Sequence, residues 1–374
     1  MRTETIQMMA GAALFSAVTY VPILAREYLG TNEFYVTFLV GAYATASFVS
    51  SYIFGRAGDV YGRRVILRLG LLLCTISFGL LLIAIDPVIL FLIRILNGFC
   101  IGMYPGALAA FAYESEMKMG RFAAFGAVGW GIGTVTAGFA AGFWIYGAFL
   151  VSTSFFALAF GSAMTLPKAP HQEMDVPLFP VATLKRNWSV YTAVLVRHSS
   201  ASALWTLWPL FLFDIGADFF WIGVIQATNA ISQVAFMAGM TDRFECRKLV
   251  ATGLLASAAT FTSLVFVTNV LEAIPTQVIL GFAWSCLYVG ALKYVTERNL
   301  DRSTASGLLT SVMSISGVLG PIFATVLFAL WPGYHAIMIF AALMSTMGLL
   351  IFAGSSRNEE CDITYPPKAN KMPS

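Results

Sequence analysis

Between Val65 and Ile85 this sequence carries one charge, Arg68, and between Val318 and Trp331 it carries none. Runs like these recur along all 374 residues, of which 58% are hydrophobic and 11% charged, against about 25% charged in a soluble domain. A water-soluble protein of this size has no core deep enough to bury them. They read as membrane spans. In hydrocarbon every backbone N–H and C=O must bond within the protein, which leaves helices or closed barrels. The runs are continuously apolar and far longer than the roughly 10-residue alternating strands of a membrane barrel, so the spans are helices.

A helix needs about 20 apolar residues to cross a hydrocarbon layer of roughly 30 Å. Turn and charge signals divide the chain into twelve such stretches: 6–28, 33–54, 65–85, 87–111, 122–146, 148–166, 189–213, 219–240, 249–270, 273–294, 305–330 and 334–354. The first is too long for the apolar part of a secretory signal and is kept as a span. Nineteen of the 22 basic residues fall on one side of this arrangement, including Arg56, Arg63, Arg64 and Arg68 between spans 2 and 3. The opposite loops hold only Arg26, beside Glu27, Glu33, Asp86, Asp214, Asp218 and Glu272. By the positive-inside rule both termini are cytoplasmic and the membrane is the plasma membrane. Five scattered cysteines and three histidines form no metal-ligand spacing, so no cofactor or metal is expected, and a net charge of +3 does not suggest nucleic acid.

The chain also repeats itself. Asp59 answers Asp242, Gly98-Phe99 answers Gly281-Phe282, Glu114 answers Glu297, Arg121 answers Arg302 and Gly126 answers Gly307, at an offset near half the chain length. Such a series implies duplicated halves related by a pseudo-twofold axis, with a cavity between them. The expected organisation is a six-helix half at 1–166, a linker at 167–188, a second half at 189–354 and a tail at 355–374. All of it is α-helical membrane protein.

Between spans 2 and 3 stands Gly55-Arg56-Ala57-Gly58-Asp59-Val60-Tyr61-Gly62-Arg63-Arg64. It resembles the signature loop of the major facilitator superfamily, in sequence and in location. The resemblance implies twelve helices in two halves, and a loop (Gly55, Asp59, Gly62, Arg63, Arg64) that latches the inner gate onto the start of span 11, near Ser303 to Ala305. Glycines let such a loop lie close against helix ends, and Asp59 would complement a positive helix N-terminus. The blander alternative is that these arginines only orient the topology. In the second copy, Gly239 to Lys248, Glu245 replaces the second glycine, so that copy is expected to matter less.

Arg94-Ile95-Leu96-Asn97-Gly98 and Gly102 in span 4 resemble the family's fourth-span Arg-x-x-x-Gly motif. The span 5 glycines Gly126, Gly129, Gly131, Gly133, Gly138 and Gly142 are similar to its antiporter-associated motif, but Phe139 stands where that motif has proline. This weakens a reading as an antiporter, and packing of neighbouring helices accounts for the glycines. In span 7, Arg197, Ala201, Trp205 and Trp208 share one helical face, with His198 alongside. An intramembrane arginine implies a wet cavity, a structural partner or snorkelling. Gln226, Asn229 and Gln233 make a polar stripe on span 8 that either lines a cavity or bonds neighbouring helices. Trp284, Tyr288 and Tyr20 could complete an aromatic lining. With Arg94 and Asn97, these residues are the candidate substrate cavity.

No Asp or Glu occupies the middle third of any span. Coupling to protons would therefore fall on His198, on Glu27 or Asp214 at span ends, or on an ionisable substrate. The leading reading is a monomeric carrier that moves a small molecule by alternating access, as a multidrug or metabolite exporter. Organic-anion transport through Arg94 and Arg197 is the alternative. A channel or receptor would not call for the half-chain repeat, and a membrane enzyme lacks a nucleophile–base pair or an HExxH spacing.

Overall fold

The computed structural model describes residues 2–167, 175–217 and 219–355. His171, Cys361, most of the expected linker's first part and the tail beyond Ser355 lie outside them, as does Asp218. Twelve long helices run in chain order: α1 Thr3–Tyr28, α2 Glu33–Tyr61, α3 Arg63–Ile83, α4 Pro87–Glu114, α5 Met119–Phe143, α6 Gly147–Met164, α7 Trp188–Asp214, α8 Phe219–Gly239, α9 Cys246–Leu264, α10 Val270–Arg298, α11 Arg302–Leu330 and α12 Tyr334–Ser355. A short linker helix, Val181–Arg186, precedes α7. No strand occurs among the described residues.

The two halves pack alike. In the first, α1 lies against α5 and α6, α2 against α4, and α3 against α6; in the second, α7 lies against α11 and α12, α8 against α10, and α9 against α12. The halves meet along two seams, α2 with α11 and α5 with α8. The cores of the halves differ in reach: one cluster fills the first half and extends into all six helices of the second, from Val190 and Met237 to Leu254, Leu287, Leu308 and Phe352, whereas the other is confined to the second half around Trp208, Phe211 and Phe261.

Three spans depart from the expected outlines. The second was drawn to end at residue 54, but α2 continues to Tyr61, so Gly55 to Asp59 are its last turns rather than a loop. Glycine costs a helix about 1 kcal/mol, here offset by packing of Gly55 on Gly307. The break comes at Gly62, whose φ of +106° is one that side-chain-bearing residues avoid. In α4 the helix is interrupted at Tyr104, because Pro105 has no N–H to continue the ladder. In α1 the chain turns at Tyr20 before Pro22 and ends in a π-helical turn, Leu24–Tyr28.

Candidate functional site: gate and cavity

Helix termini leave their first N–H groups unbonded unless something caps them. α5 begins after Lys118, which has no acceptor to offer, and α11 begins after Asp301, whose side chain makes no cap bond to its own helix. Each is capped instead by a carboxylate of the other half. The carboxylate of Asp59 accepts from the N–H of Ser303 (3.3 Å) and of Thr304 (2.7 Å), the second and third residues of α11, and from the Thr304 hydroxyl at 2.7 Å. Asp242 accepts from the N–H of Gly120 (2.7 Å) and of Arg121 (3.1 Å), the second and third residues of α5. The two caps are equivalent under the pseudo-twofold.

A network surrounds the first. Arg63 donates to Asp59 through Nη2 (2.7 Å) and Nε (3.1 Å) and to the carbonyl of Leu300 (3.1 Å), and it pairs with Glu114 at the end of α4. Arg302 reaches the same Glu114 at 3.2 Å. Asp59 itself is 1% exposed. The second cap has a thinner surround: Arg121 pairs with Glu4 at 2.5 Å, and the Asp242 carboxylate is half-buried. Of the residues named from sequence, Gly55, Asp59, Gly62 and Arg63 sit in this gate. Arg64, next to Arg63, has an Nε with no acceptor among the described residues. The Gly239–Lys248 copy, expected to matter less, keeps Asp242's two backbone bonds, which need the carboxylate and not the glycine that Glu245 replaced, but lacks the surrounding network.

The α2–α11 seam continues the closure. Ser51 and Ser311 hydroxyls lie 3.1 Å apart and those of Ser47 and Ser314 3.2 Å apart. A Cβ on Gly307 would stand 2.6 Å from the Gly55 Cα and the Ser51 carbonyl oxygen. The linker helix is tied to the same place. Thr183 donates to Asp301 at 2.5 Å, Asn187 and Asn299 exchange side-chain amide bonds at 3.1 Å, and Arg56 holds the Val176 carbonyl at 2.7 Å. Burial, then the nearby Asp59, pushes the Asp301 carboxyl up to about 7 against the lowering bond from Thr183. Thr304 falls within the Ser303 to Ala305 segment expected to receive the latch, whereas Glu114, Asp301 and Thr183 were not singled out as gate residues from sequence. Glu114 carried a signal, its repeat partner Glu297, but not the arginines it would meet.

Above the seam lies a cavity of about 240 Å³ between α1, α2, α4 and α11, lined by Arg94 and Tyr43 among apolar residues. The Arg94 guanidinium lies over the Tyr43 ring at 4.0 Å. Asn97, one turn on, is fully buried with neither amide atom bonded among the described residues.

Arg197 does not join this cavity, contrary to the sequence expectation. It turns into the second half, donates to the Ser257 hydroxyl of α9 at 2.9 Å, and lies over the rings of Phe261 and Trp284, both at 5.4 Å. A hydroxyl and two π faces replace the water or anion that a buried arginine would otherwise need. Trp208, on the same helical face, is packed against Phe211 in that half's core, with Trp205 edge-on to it at 5.6 Å.

His198 stacks on Trp284 (5.0 Å), which stacks on Tyr288 (5.4 Å), making a partly exposed aromatic row. On α8, Gln233 donates to Asn229 (2.5 Å) of the same helix and Asn229 to Gln277 of α10 (3.1 Å), so one side chain of the polar stripe bonds a neighbouring helix while Gln226 stays exposed. Tyr20 faces α5, where a Cβ on Gly138 would lie 3.1 Å from its hydroxyl. Gly129 and Gly133 pack directly on the α1 backbone at Met8 and Ala12, whereas Gly131 and Gly142 face open space.

Two six-helix halves, closed on each other at one end by reciprocal helix caps and parted at mid-depth by a cavity, define a multi-pass membrane protein built to open and close between its halves. The family description of the Major Facilitator Superfamily matches residues 5–239 and 190–366, and the chain belongs to that superfamily. It is 23% identical over 344 residues to the class B tetracycline resistance protein of Escherichia coli, covering 84% of this chain and 85% of that one. It is 26% identical over 366 residues to the multi-drug resistance efflux pump PmrA of Streptococcus pneumoniae, covering 90% of each. Its fold matches that of the human organic anion transporter MFSD10 with a TM-score of 0.81, at 14% identity over 94% of this chain and 98% of that one.

Proposed function

We propose that the chain is a secondary transporter of the plasma membrane, without enzymatic activity, that exports small amphipathic molecules by alternating access. Its basic end, and with it both termini, faces the cytoplasm. The observation that carries this reading is the reciprocal capping of α11 by Asp59 and of α5 by Asp242. Charge-assisted bonds to helix N-termini are strong enough to favour one state and few enough to break in a cycle. The state seen is the one closed to the cytoplasm, with the cavity above the seam. Similarity to the multi-drug resistance efflux pump PmrA supports export as the direction.

Coupling to protons falls on His198, on Glu27 or Asp214 at helix ends, or on an ionisable substrate. Of these, Asp214 accepts from the Tyr334 hydroxyl at 2.8 Å and Glu27 pairs with Arg26. The test is accumulation of tetracycline and of a quinolone in inverted membrane vesicles under an imposed pH gradient. Wild type is expected to accumulate at least one of them, and loss of the response to the gradient in His198→Gln, with binding retained, would assign the coupling to that residue. Neither compound moving, with protein inserted and monodisperse, would count against export of this class of molecule.

A further inference from the structure

Arg94 is 3% exposed, and its Nε and Nη1 have no hydrogen-bond partner among the described residues. It lies eight residues into α4 from Asp86, about 12 Å along the helix, and Asp86 is itself occupied in capping the N–H groups of Val88 and Ile89. A buried guanidinium without a carboxylate is costly in a low-dielectric setting; the Tyr43 ring at 4.0 Å offsets part of that cost at Arg94, as a hydroxyl and two ring faces do at Arg197. The groups around it in the cavity are apolar (Val18, Leu39, Met313), save for Tyr43 and the hydroxyls of Ser47 and Ser314. The cavity therefore offers one guanidinium and a dry wall, the Ser47 and Ser314 hydroxyls being paired with each other at 3.2 Å.

We propose that this cavity binds a small amphipathic monocarboxylate, with the carboxylate on the Arg94 guanidinium and the apolar body between Leu39 and Met313. A guanidinium suits a carboxylate because its parallel N–H groups match the two oxygens. The charge state follows from there being one buried cation and no anion facing the cavity. The size of the group held there follows from the volume: in this closed state about 240 Å³, below the roughly 300–1,000 Å³ of sites that enclose a whole drug-sized ligand, so the part that meets Arg94 is a single aromatic ring or a short branched chain. Because Leu39 and Arg94 belong to one half and Met313 and Ser314 to the other, the ligand touches both, and its binding is coupled to the seam below. This inference rests on the reading of the chain as a transporter and names its substrate class.

The test uses the full chain in lipid nanodiscs and three probes of one shape and three charges: benzoate, benzyl alcohol and benzylamine. Calorimetry should show benzoate bound at least tenfold more tightly than benzylamine, with benzyl alcohol between them. Arg94→Gln should abolish the preference, Arg94→Lys should keep it at reduced affinity, and Arg197→Gln should leave it within about twofold of wild type. Should Arg94→Gln fail to fold, Leu39→Trp, which fills the cavity and leaves the charge, should weaken benzoate by the same tenfold or more. Benzylamine binding as tightly as benzoate, or benzoate affinity surviving either Arg94→Gln or Leu39→Trp, would overturn the proposal. Vesicle accumulation of tetracycline or a quinolone by the same preparation separates the two claims: transport without benzoate binding sinks the substrate class alone, whereas loss of both sinks the transporter reading.

Discussion

The two gates are the same device built to different strengths. Both place a carboxylate from the end of one half's second helix on the second and third N–H groups of the other half's fifth helix. At Asp59 that contact is buried, reinforced by the Thr304 hydroxyl, and locked by Arg63 and Glu114. At Asp242 two backbone bonds do the work, and the motif around them has lost a glycine. The reinforced gate sits on the seam with facing glycines and paired serines; the bare one sits on the α5–α8 seam. Duplication preserved the cap, which needs only an acceptor and an uncapped helix, while the residues around it diverged.

That inequality can be broken from either side. The largest effect is expected from Asp59→Asn, which removes the charge and the Arg63 pair. Bonds to charged groups contribute about 1.5–3 kcal/mol, so the closed state should lose about 30-fold in population, read as a collapse of vesicle transport with insertion unchanged. Gly307→Ala attacks the same seam without touching charge. Its Cβ meets backbone at 2.6 Å, and overpacking of this kind costs about 1–3 kcal/mol, so closure should fall about tenfold by inter-half cysteine cross-linking. Gly131→Ala on α5, facing open space, is the control and should change nothing.

Asp242→Asn should cost about 1 kcal/mol, a fivefold shift, since no arginine pair is lost. An effect equal to that of Asp59→Asn would show that the surrounding network contributes nothing. The smallest effect concerns pH. Asp301 holds its proton more firmly in the closed gate, where burial raises its carboxyl to about 7, than it would when opening returns it to water. Closure is thus favoured on the acid side and loses that contribution as pH rises through 7, by about threefold between pH 6.5 and 7.5. Asp301→Asn should flatten this profile, and a profile that rises with pH would contradict the sign.

Much of the fold was legible because its constraints are one-dimensional. Apolar run length fixed the spans, and the half-chain offset of Asp59 and Asp242 implied paired halves. The location of the Asp59 motif pointed to the start of α11. What could not be read was direction within a helix. Arg94 and Arg197 look alike in sequence, each a lone cation in an apolar run, and only the structure turns one toward a cavity and the other onto Ser257. Likewise Trp208 shares a helical face with Arg197, and that face proves to be core. Helix ends were blurred for a related reason: α2 runs on through Gly55 and Gly58 because tertiary packing on α11 outweighs their weak helix propensity.

The central claim is that the two caps together hold one end of the molecule shut. Spin labels at Tyr61→Cys and Phe244→Cys, on equivalent junctions of the two halves, report that end directly in a background without the five native cysteines. Double electron–electron resonance in nanodiscs should give one short distance for the otherwise unaltered protein. In the Asp59→Asn, Asp242→Asn pair a second, longer distance should dominate. A distribution that stays short and single in the doubly substituted protein would contradict the account, because the halves would then be held together by something other than the reciprocal caps.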